Sequence, residues 1–144
     1  MDKYAFQQCF KLKTPLIIPG TLKVVPQSAF VYCESLPSVT FEEGVEEIQI
    51  WAFGYCSSLE SVVLPNSMRI LGPNAFYECT NLKTIELNQG LIQLDKFCLV
   101  GTGITSVHVP SSVQAIGYGS IAWNNFLSEV IIEDGVQSFD DGAF

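Results

Sequence analysis

The chain has 144 residues, a length that predicts one structural unit and leaves no room for a catalytic domain beside a regulatory one. Its residues are 48% hydrophobic and only 15% charged, so the composition excludes an intrinsically disordered chain. Seven basic against fifteen acidic residues give a net charge of -8, which repels phosphate backbones and excludes nucleic acid as an expected partner. No apolar run approaches the ~18 residues of a membrane span, and we therefore expect no membrane insertion.

A phrase of the form Ala-Phe-x-x-Cys-x-x-Leu recurs along the chain with a period of about 23 residues. We place its aromatic position at Phe6, Phe30, Phe53, Phe76, Phe97, Ile121 and Phe144, with separations of 24, 23, 23, 21, 24 and 23 residues. Three residues after the first four of these come Cys9, Cys33, Cys56 and Cys79. We call the first set the aromatic column and the second set the cysteine column.

Each phrase leads into a short alternating segment that predicts a β-strand with its first and third side chains directed inward. These segments are 39–41, 62–64, 85–87, 107–109 and 130–132. A turn follows, which either begins with proline, as at Pro65, or ends with glycine, as at Gly90. A second apolar pair three residues apart, such as Val45 and Ile48, then predicts a second short wall in each repeat.

A unit of this length cannot enclose its own apolar side chains, whereas stacked coils bury them in continuous columns. The recurrence in phase therefore predicts a β-rich solenoid of about six coils, with parallel short strands and at most single-turn helices. An antiparallel sandwich of evenly spaced strands would not require the same residue types to recur in phase. We assign residues 1–144 to a single domain of this kind.

The coil at residues 52–68 resembles the BspA-like subclass of leucine-rich repeats, with Leu59, Val62 and Leu64 matching the first half of the repeat. It departs from the ordinary leucine-rich repeat because Ser67 occupies the position where that pattern has asparagine. The resemblance covers nearly the whole chain and implies a right-handed superhelix. It also implies a module of a bacterial or protozoan surface protein, located at the cell surface or secreted, and associated with adhesion.

The expected function is a non-catalytic module that binds a protein partner, and the alternative is a structural spacer within a larger surface protein. We expect no cofactor and no metal, because the cysteines have no close pairs. His108 lies on the outward side of its strand beside Ser106; a catalytic role would need both a nucleophile and an orienting acid, and we assign it none. We interpret the cysteine column as buried free thiols and Cys98, which lies outside it, as the most reactive thiol.

Two sets of residues are candidates for the partner-binding surface. The middle side chain of each strand points away from the core and gives an outward row of Ile17, Thr40, Val63, Glu86, His108 and Ile131. A second set shares the position two residues after the aromatic column, namely Tyr32, Tyr55 and Trp123. Half-exposed aromatic residues are common at interfaces, although they can equally cover the edge of a core. Strand propensity alone is an equal explanation of the outward row.

The two ends of the chain differ in charge. Four lysines lie between residues 3 and 23, whereas no lysine or arginine follows Lys96. No signal peptide precedes the first phrase and the chain stops within the last one at Phe144, so we expect a fragment of a longer array. Uncapped coils expose strand edges, and we expect end-to-end self-association through these ends of opposite charge.

Overall fold

A computed structural model describes residues 1–144 and contains twelve short strands and no helix, so the Ala-Phe-x-x-Cys segments form turns. The first wall consists of β1 (Leu16–Ile18), β3 (Ser38–Phe41), β5 (Ser61–Val63), β7 (Thr84–Ile85), β9 (Ser106–Val109) and β11 (Glu129–Ile132). The second wall consists of β2 (Val24–Val25), β4 (Glu47–Ile48), β6 (Ile70–Leu71), β8 (Gln93–Leu94), β10 (Ala115–Ile116) and β12 (Ser138–Phe139). The chain thus alternates between two walls and completes one turn for every pair of strands.

All strand pairs are parallel, and most join residues 23 positions apart. On the first wall, Leu16 pairs with Val39, Val39 with Val62, and Val62 with Ile85. Pairing in this register places the same position of every coil in one column. The predicted leucine-rich repeat solenoid is therefore confirmed. No helix in the chain could span a membrane.

One continuous hydrophobic core fills the space between the walls. Phe6, Phe30, Phe53 and Phe76 form a stack with centroid separations of 5.2, 5.1 and 5.5 Å and interplanar angles of at most 12°. Phe41 meets the ring of Phe53 edge-on at 5.6 Å. Each stacked or edge-to-face aromatic pair stabilises the fold by ~0.5–1.5 kcal/mol beyond the contribution of the apolar area that it buries. The first four members of the aromatic column thus form its most cohesive part.

The assignment of Phe97 to the aromatic column is wrong. The N–H of Phe76 donates to the carbonyl of Cys98 at 2.9 Å, the bond that earlier column members make to the alanine of the next coil. Cys98 therefore occupies the alanine position, and the fully buried Leu99 occupies the aromatic position. The backbone keeps its 23-residue step from Phe76 to Leu99, and the phenylalanine two residues earlier lies outside the core stack.

The coil that contains Phe97 and Thr102 is shorter than the others. The 21-residue separation between Phe76 and Phe97 suggests that two residues are missing before Phe97, but the structure shows no deletion there. One residue is missing after Thr102 instead. Thr102 follows Cys79 by 23 residues, but the next second-wall pairing, Gln93 with Ala115, has a step of 22. The shortened loop leads directly into β9. The first wall breaks there, into a four-stranded sheet from β1 to β7 and a separate pair of β9 and β11, whereas the second wall is continuous from β2 to β12.

Cys33, Cys56 and Cys79 of the cysteine column are buried as predicted and their thiols bond to the preceding coil, whereas Cys9 is only partly buried. Each thiol donates to the main-chain carbonyl of an aromatic-column residue one coil earlier. The Sγ to oxygen distances are 3.2 Å for Cys33 to Phe6, 3.3 Å for Cys56 to Phe30 and 3.1 Å for Cys79 to Phe53. In the coil after the break, Asn124 Nδ2 donates to the carbonyl of Leu99 at 2.9 Å. The column is thus a hydrogen-bonded ladder.

The prediction that Cys98 is the most reactive thiol is wrong. Its side chain is fully buried, and this burial raises the pKa of the thiol well above the ordinary range. A thiol is nucleophilic only as the thiolate, so Cys98 is chemically protected. Cys9, in the first coil, is the one cysteine that is only partly buried.

Candidate functional site

The outward row lies on the exposed face of the first wall, as the alternation predicts. Ile17, Thr40 and Val63 are paired across β1, β3 and β5, and His108 is paired with Ile131 across β9 and β11. Ile17, Val63 and Ile131 are 62%, 55% and 47% exposed. Three apolar side chains thus face solvent at equivalent positions of the first wall, two of them on the β1–β7 sheet and one on the β9–β11 pair.

The row is interrupted where the first wall breaks. Glu86 follows β7 directly, and beyond it a crevice of about 420 Å³ opens, lined by Thr84, Ile85, Glu86, Leu87, Ser106 and His108. β7 and β9 make no hydrogen-bonded pair across this crevice. The six residues therefore form two segments, one from Ile17 to Glu86 and the other of His108 and Ile131.

The imidazole of His108 contacts the carboxylate of Glu133, with 2.8 Å between Nε2 and Oε1. The carboxylate of Glu133 also accepts the N–H of Ser111 at 2.8 Å and the side-chain amide of Gln89 at 3.2 Å. These two donors, in that order, lower the pKa of Glu133 to about 2, so it is anionic at neutral pH. Ser106 makes no hydrogen bond to His108. The contacts of Glu133 connect strand β9, through His108, to the turns that contain Gln89 and Ser111. No cluster of three or more metal-binding side chains exists in the chain.

Acidic residues of the second coil accept hydrogen bonds from backbone N–H groups in the turns. The carboxylate of Glu43 accepts the N–H groups of Asn66 and Ser67 at 2.8 and 3.1 Å, and these bonds lower its pKa. The adjacent Gly44 has φ +111°, and its Cα lies so close to the carbonyl of Gly20 that a Cβ would not fit. Glycine turns and proline turns of neighbouring coils thus interlock, with carboxylates capping the free N–H groups.

The aromatic candidates divide into two clusters. Tyr32 and Tyr55 stack with 4.7 Å between ring centroids, and Trp51 lies parallel to Tyr55 at 5.8 Å. Trp123 is separated from them by two coils and stacks on Phe97 at 6.1 Å. The shared sequence position of Tyr32, Tyr55 and Trp123 therefore does not bring all three together.

A groove of about 520 Å³ separates the two clusters. It is lined by Ile50, Trp51, Asn74, Tyr77, Lys96, Phe97 and Trp123, and we call it the aromatic groove. Trp51, Asn74 and Phe97 occupy one position in three successive coils, with φ of +60°, +55° and +58°. Sequence reasoning missed this site because it placed Phe97 in the core. Once Leu99 takes the column position, Phe97 aligns with Trp51.

Both ends of the solenoid expose apolar side chains. Phe6 and Phe10 are exposed in the first coil, and every residue of β11, including Val130 and Ile132, is exposed in the last. End-to-end self-association between these surfaces stays a prediction, which sedimentation of the chain over a range of concentrations and salt would test.

The chain matches known proteins along most of its length. A family model described as a BspA type leucine rich repeat region matches residues 1–126 in six copies. The comparison with curated proteins gives no match. A solved leucine-rich repeat protein of T. pallidum has a TM-score of 0.80 at 24% identity, over 96% of this chain and 62% of that one.

Two further solved structures share the fold at 24% identity. A leucine-rich repeat protein from Bacteroides ovatus ATCC 8483 has a TM-score of 0.73 over 82% of this chain and 35% of its own. A leucine rich cell surface protein from Faecalibacterium prausnitzii A2-165 has a TM-score of 0.62 over 90% of this chain and 42% of its own. The chain thus spans 62% or less of each of these proteins. Six in-phase copies over residues 1–126, on the parallel solenoid described above, show that the chain belongs to the BspA-type leucine-rich repeat family.

Proposed function

We propose that the chain is a non-catalytic adhesion module that binds a protein partner through the outward row, within a cell-surface or secreted protein. The observation that carries this proposal is the exposure of Ile17, Val63 and Ile131 at matching positions of the first wall. Isolated exposed apolar residues are ordinary, but a repeated position that exposes them on one face is suited to bury them against a partner.

The rigidity of the first wall supports this role. From β1 to β7 the strands are hydrogen-bonded in register, so the side chains of Ile17, Thr40 and Val63 are spaced by ~4.8 Å. A surface that is already ordered loses little conformational entropy when a partner binds. Leucine-rich repeat proteins generally act as protein-interaction modules, and this sheet offers such a preorganised surface.

The surface location is supported by relatives. The F. prausnitzii protein is described as a cell surface protein, and members of the BspA-like family are commonly modules of surface proteins. A structural spacer in a larger surface protein is the alternative, and the experiment below separates the two roles.

The proposal is tested by selecting displayed peptides that bind the wild-type chain and then measuring their binding to variants of the outward row. We expect ligands selected on the wild-type chain to lose binding to both Val63→Glu and Ile131→Lys, because each change places a charge where an apolar contact forms. Ile92→Glu is the matched control, since Ile92 is 36% exposed and precedes β8 on the other wall. Surface substitutions of this kind change stability by only ~0.5 kcal/mol, so thermal unfolding should be nearly unchanged.

Two results would contradict the proposal. Ligands that bind the wild-type chain and both row variants equally would move the binding surface elsewhere. A selection that enriches no ligand for any face would favour the structural spacer.

A further inference from the structure

The aromatic side chains of the groove occupy backbone positions that disfavour them. Trp51, Phe97 and Trp123 have φ of +60°, +58° and +56°, a left-handed conformation that suits glycine best. The chain itself places Gly119 and Gly142 at the position equivalent to Phe97 in the next two coils. Trp123 is 67% exposed, so burial in the core does not offset the unfavourable backbone. Trp51 packs beside Tyr55 and Phe97 stacks on Trp123, so contacts between neighbouring aromatic side chains offset part of the backbone cost and hold the walls of the groove in place.

Asn74 supplies an unpaired polar group inside the groove. The residue is only 9% exposed, and its side-chain amide makes no hydrogen bond within the chain. Its main-chain N–H and carbonyl are both used, by Lys96 and Tyr77. The amide keeps access to solvent and is not engaged within the chain, so the groove offers one donor group and one acceptor to a ligand.

Lys96 adds an unpaired cation to the same groove. Lys23 forms an ion pair with Glu46 and His108 contacts Glu133, and Lys96 takes part in neither contact. It is also the last basic residue of a chain whose net charge is -8. A single free cation beside an aromatic surface is complementary to a ligand that carries an acidic group.

The spacing of the groove matches a polyproline II helix. Trp51 and Phe97 lie in one column two coils apart, which corresponds to ~9.6 Å along the solenoid axis. A polyproline II helix rises ~3.1 Å per residue and repeats every three residues, so equivalent side chains recur every ~9.3 Å. Proline-rich segments of this conformation dock in aromatic-lined grooves, and their preformed helix lowers the entropy lost on binding.

We propose that the aromatic groove binds a proline-rich, acidic segment of a protein partner in the polyproline II conformation. Two prolines three positions apart pack on Trp51 and on Phe97, the amide of Asn74 bonds to a peptide carbonyl between them, and an acidic residue lies beside Lys96. This site is separate from the outward row and does not depend on it.

The two tryptophans of the chain both line the groove, so their signals report binding there directly. The probe is the peptide Ac-APPAPPDA-NH2, followed by indole N–H resonances and tryptophan fluorescence. We expect both indole resonances to shift. The peptide Ac-PAPAPDPA-NH2 has the same composition without prolines three apart, and it should bind about tenfold more weakly.

Substitutions in the groove locate the contacts. Trp123→Ala and Asn74→Gly should each weaken binding by about tenfold, and glycine suits the φ of +55° at Asn74. Lys96→Gln should weaken binding of the aspartate peptide and remove its salt dependence, while leaving the Ac-APPAPPNA-NH2 peptide unaffected. Phe126→Ala and Val63→Glu are the controls, because Phe126 is 68% exposed and both lie outside the groove.

Three outcomes would overturn the proposal. Indole resonances that do not shift at millimolar peptide exclude the site, and equal binding of both peptides excludes the three-residue spacing. A shift with 3′-sialyllactose but with neither peptide would assign the groove to an acidic glycan. Failure of the outward row to bind a ligand would leave the peptide results in the aromatic groove unchanged. Peptide binding that survives Val63→Glu therefore distinguishes the groove from the outward row.

Discussion

The coils before Leu99 and the coils from Leu99 onward share one backbone plan but differ in cohesion. In the earlier coils, phenylalanines stack in the core and the first wall is continuous from β1 to β7. In the later coils, Leu99 and Ile121 replace phenylalanine, Asn124 replaces cysteine, and β9 pairs only with β11. The second wall crosses the boundary without interruption.

The difference teaches that the two walls respond differently to a change in coil length. The first coil has one extra residue between Leu12 and Leu16, yet β1 and β3 are paired in register. The coil after Thr102 has one residue fewer, and the wall that follows directly is broken. An extra residue bulges outward in a loop, whereas a missing residue leaves the next strand unable to reach its neighbour.

The largest expected effect is a difference in how much stability the two regions lose when a core residue is truncated. Phe53→Ala should destabilise the chain by ~3–5 kcal/mol, because it removes the stacked contacts to Phe30 and Phe76. Leu99→Ala, at the equivalent position of the later region, should cost less, ~2–5 kcal/mol, because no stacked ring is lost. Urea unfolding measures both. A loss below ~1 kcal/mol for Phe53→Ala would show that the stack does not hold the core together.

A single insertion should remove the difference between the walls. One asparagine placed between Gly103 and Ile104 restores the 23-residue spacing, and we expect β9 to pair with β7. Each new hydrogen bond should contribute ~0.5–1.5 kcal/mol. Hydrogen exchange of residues 84–87 and 106–109 should slow, while exchange at residues 93–94 serves as the control. Unchanged exchange at all three segments would show that the missing residue is not the cause of the break.

Thiol reactivity should distinguish the edge of the array from its interior. Cys33, Cys56, Cys79 and Cys98 should resist iodoacetamide in the folded chain, and Cys9 should react first. Burial raises the pKa of Cys33 to about 12 and that of Cys98 further still, so neither forms thiolate at neutral pH. Mass spectrometry of the alkylated chain, with a urea-unfolded sample as the control, gives the order of reaction. Alkylation of Cys56 as rapid as that of Cys9 would contradict the buried ladder.

The smallest expected effect concerns the link between the last two coils. Glu133 has a lowered pKa of about 2, against ~4.3 in an unfolded chain, so its contribution to stability is complete above the unfolded value. That contribution should disappear as the pH falls from ~4.3 towards 2. Glu133→Gln should flatten this part of the stability curve, and Glu129→Gln is the control. The carboxylate is exposed, so the change is small, and equal slopes for both variants would contradict it.

The solenoid was predictable because its evidence is repetition of residue type. Alternation around Val39 and Val107 predicted the buried face of the first wall and the exposure of Val63. In β11 the alternation was wrong, because Val130 and Ile132 are exposed together with Ile131 where no further coil covers them. The error at Phe97 has a physical reason: leucine fills the same column as phenylalanine, and backbone hydrogen bonds fix the register. Matching side chains by type placed the aromatic residue two positions out of register.

The aromatic groove could not be predicted in the same way. Its walls come from four coils, and its shape depends on the left-handed backbone at Trp51, Asn74 and Phe97. Nothing in the sequence marks these positions as left-handed, since glycine occupies them only in the last two coils. The ring of Phe97, on which Trp123 stacks, also packs directly over Gly119, where a Cβ would lie 2.7 Å from it, and this contact becomes visible only when the coils are in register.

The break between β7 and β9 has a mechanical consequence for a chain pulled from its two ends. Hydrogen bonds between coils lie along the axis of the solenoid, so tension detaches coils one after another and does not shear all of them at once. Each detached coil releases about 75–80 Å of extended chain. With its first wall unpaired, the coil boundary at β9 resists with the second wall and with turn hydrogen bonds such as that from the Leu99 N–H to the Ser120 carbonyl at 2.8 Å. This boundary therefore has fewer hydrogen bonds to break than the boundaries between the phenylalanine-stacked coils, and it is the weaker internal point of the array under tension.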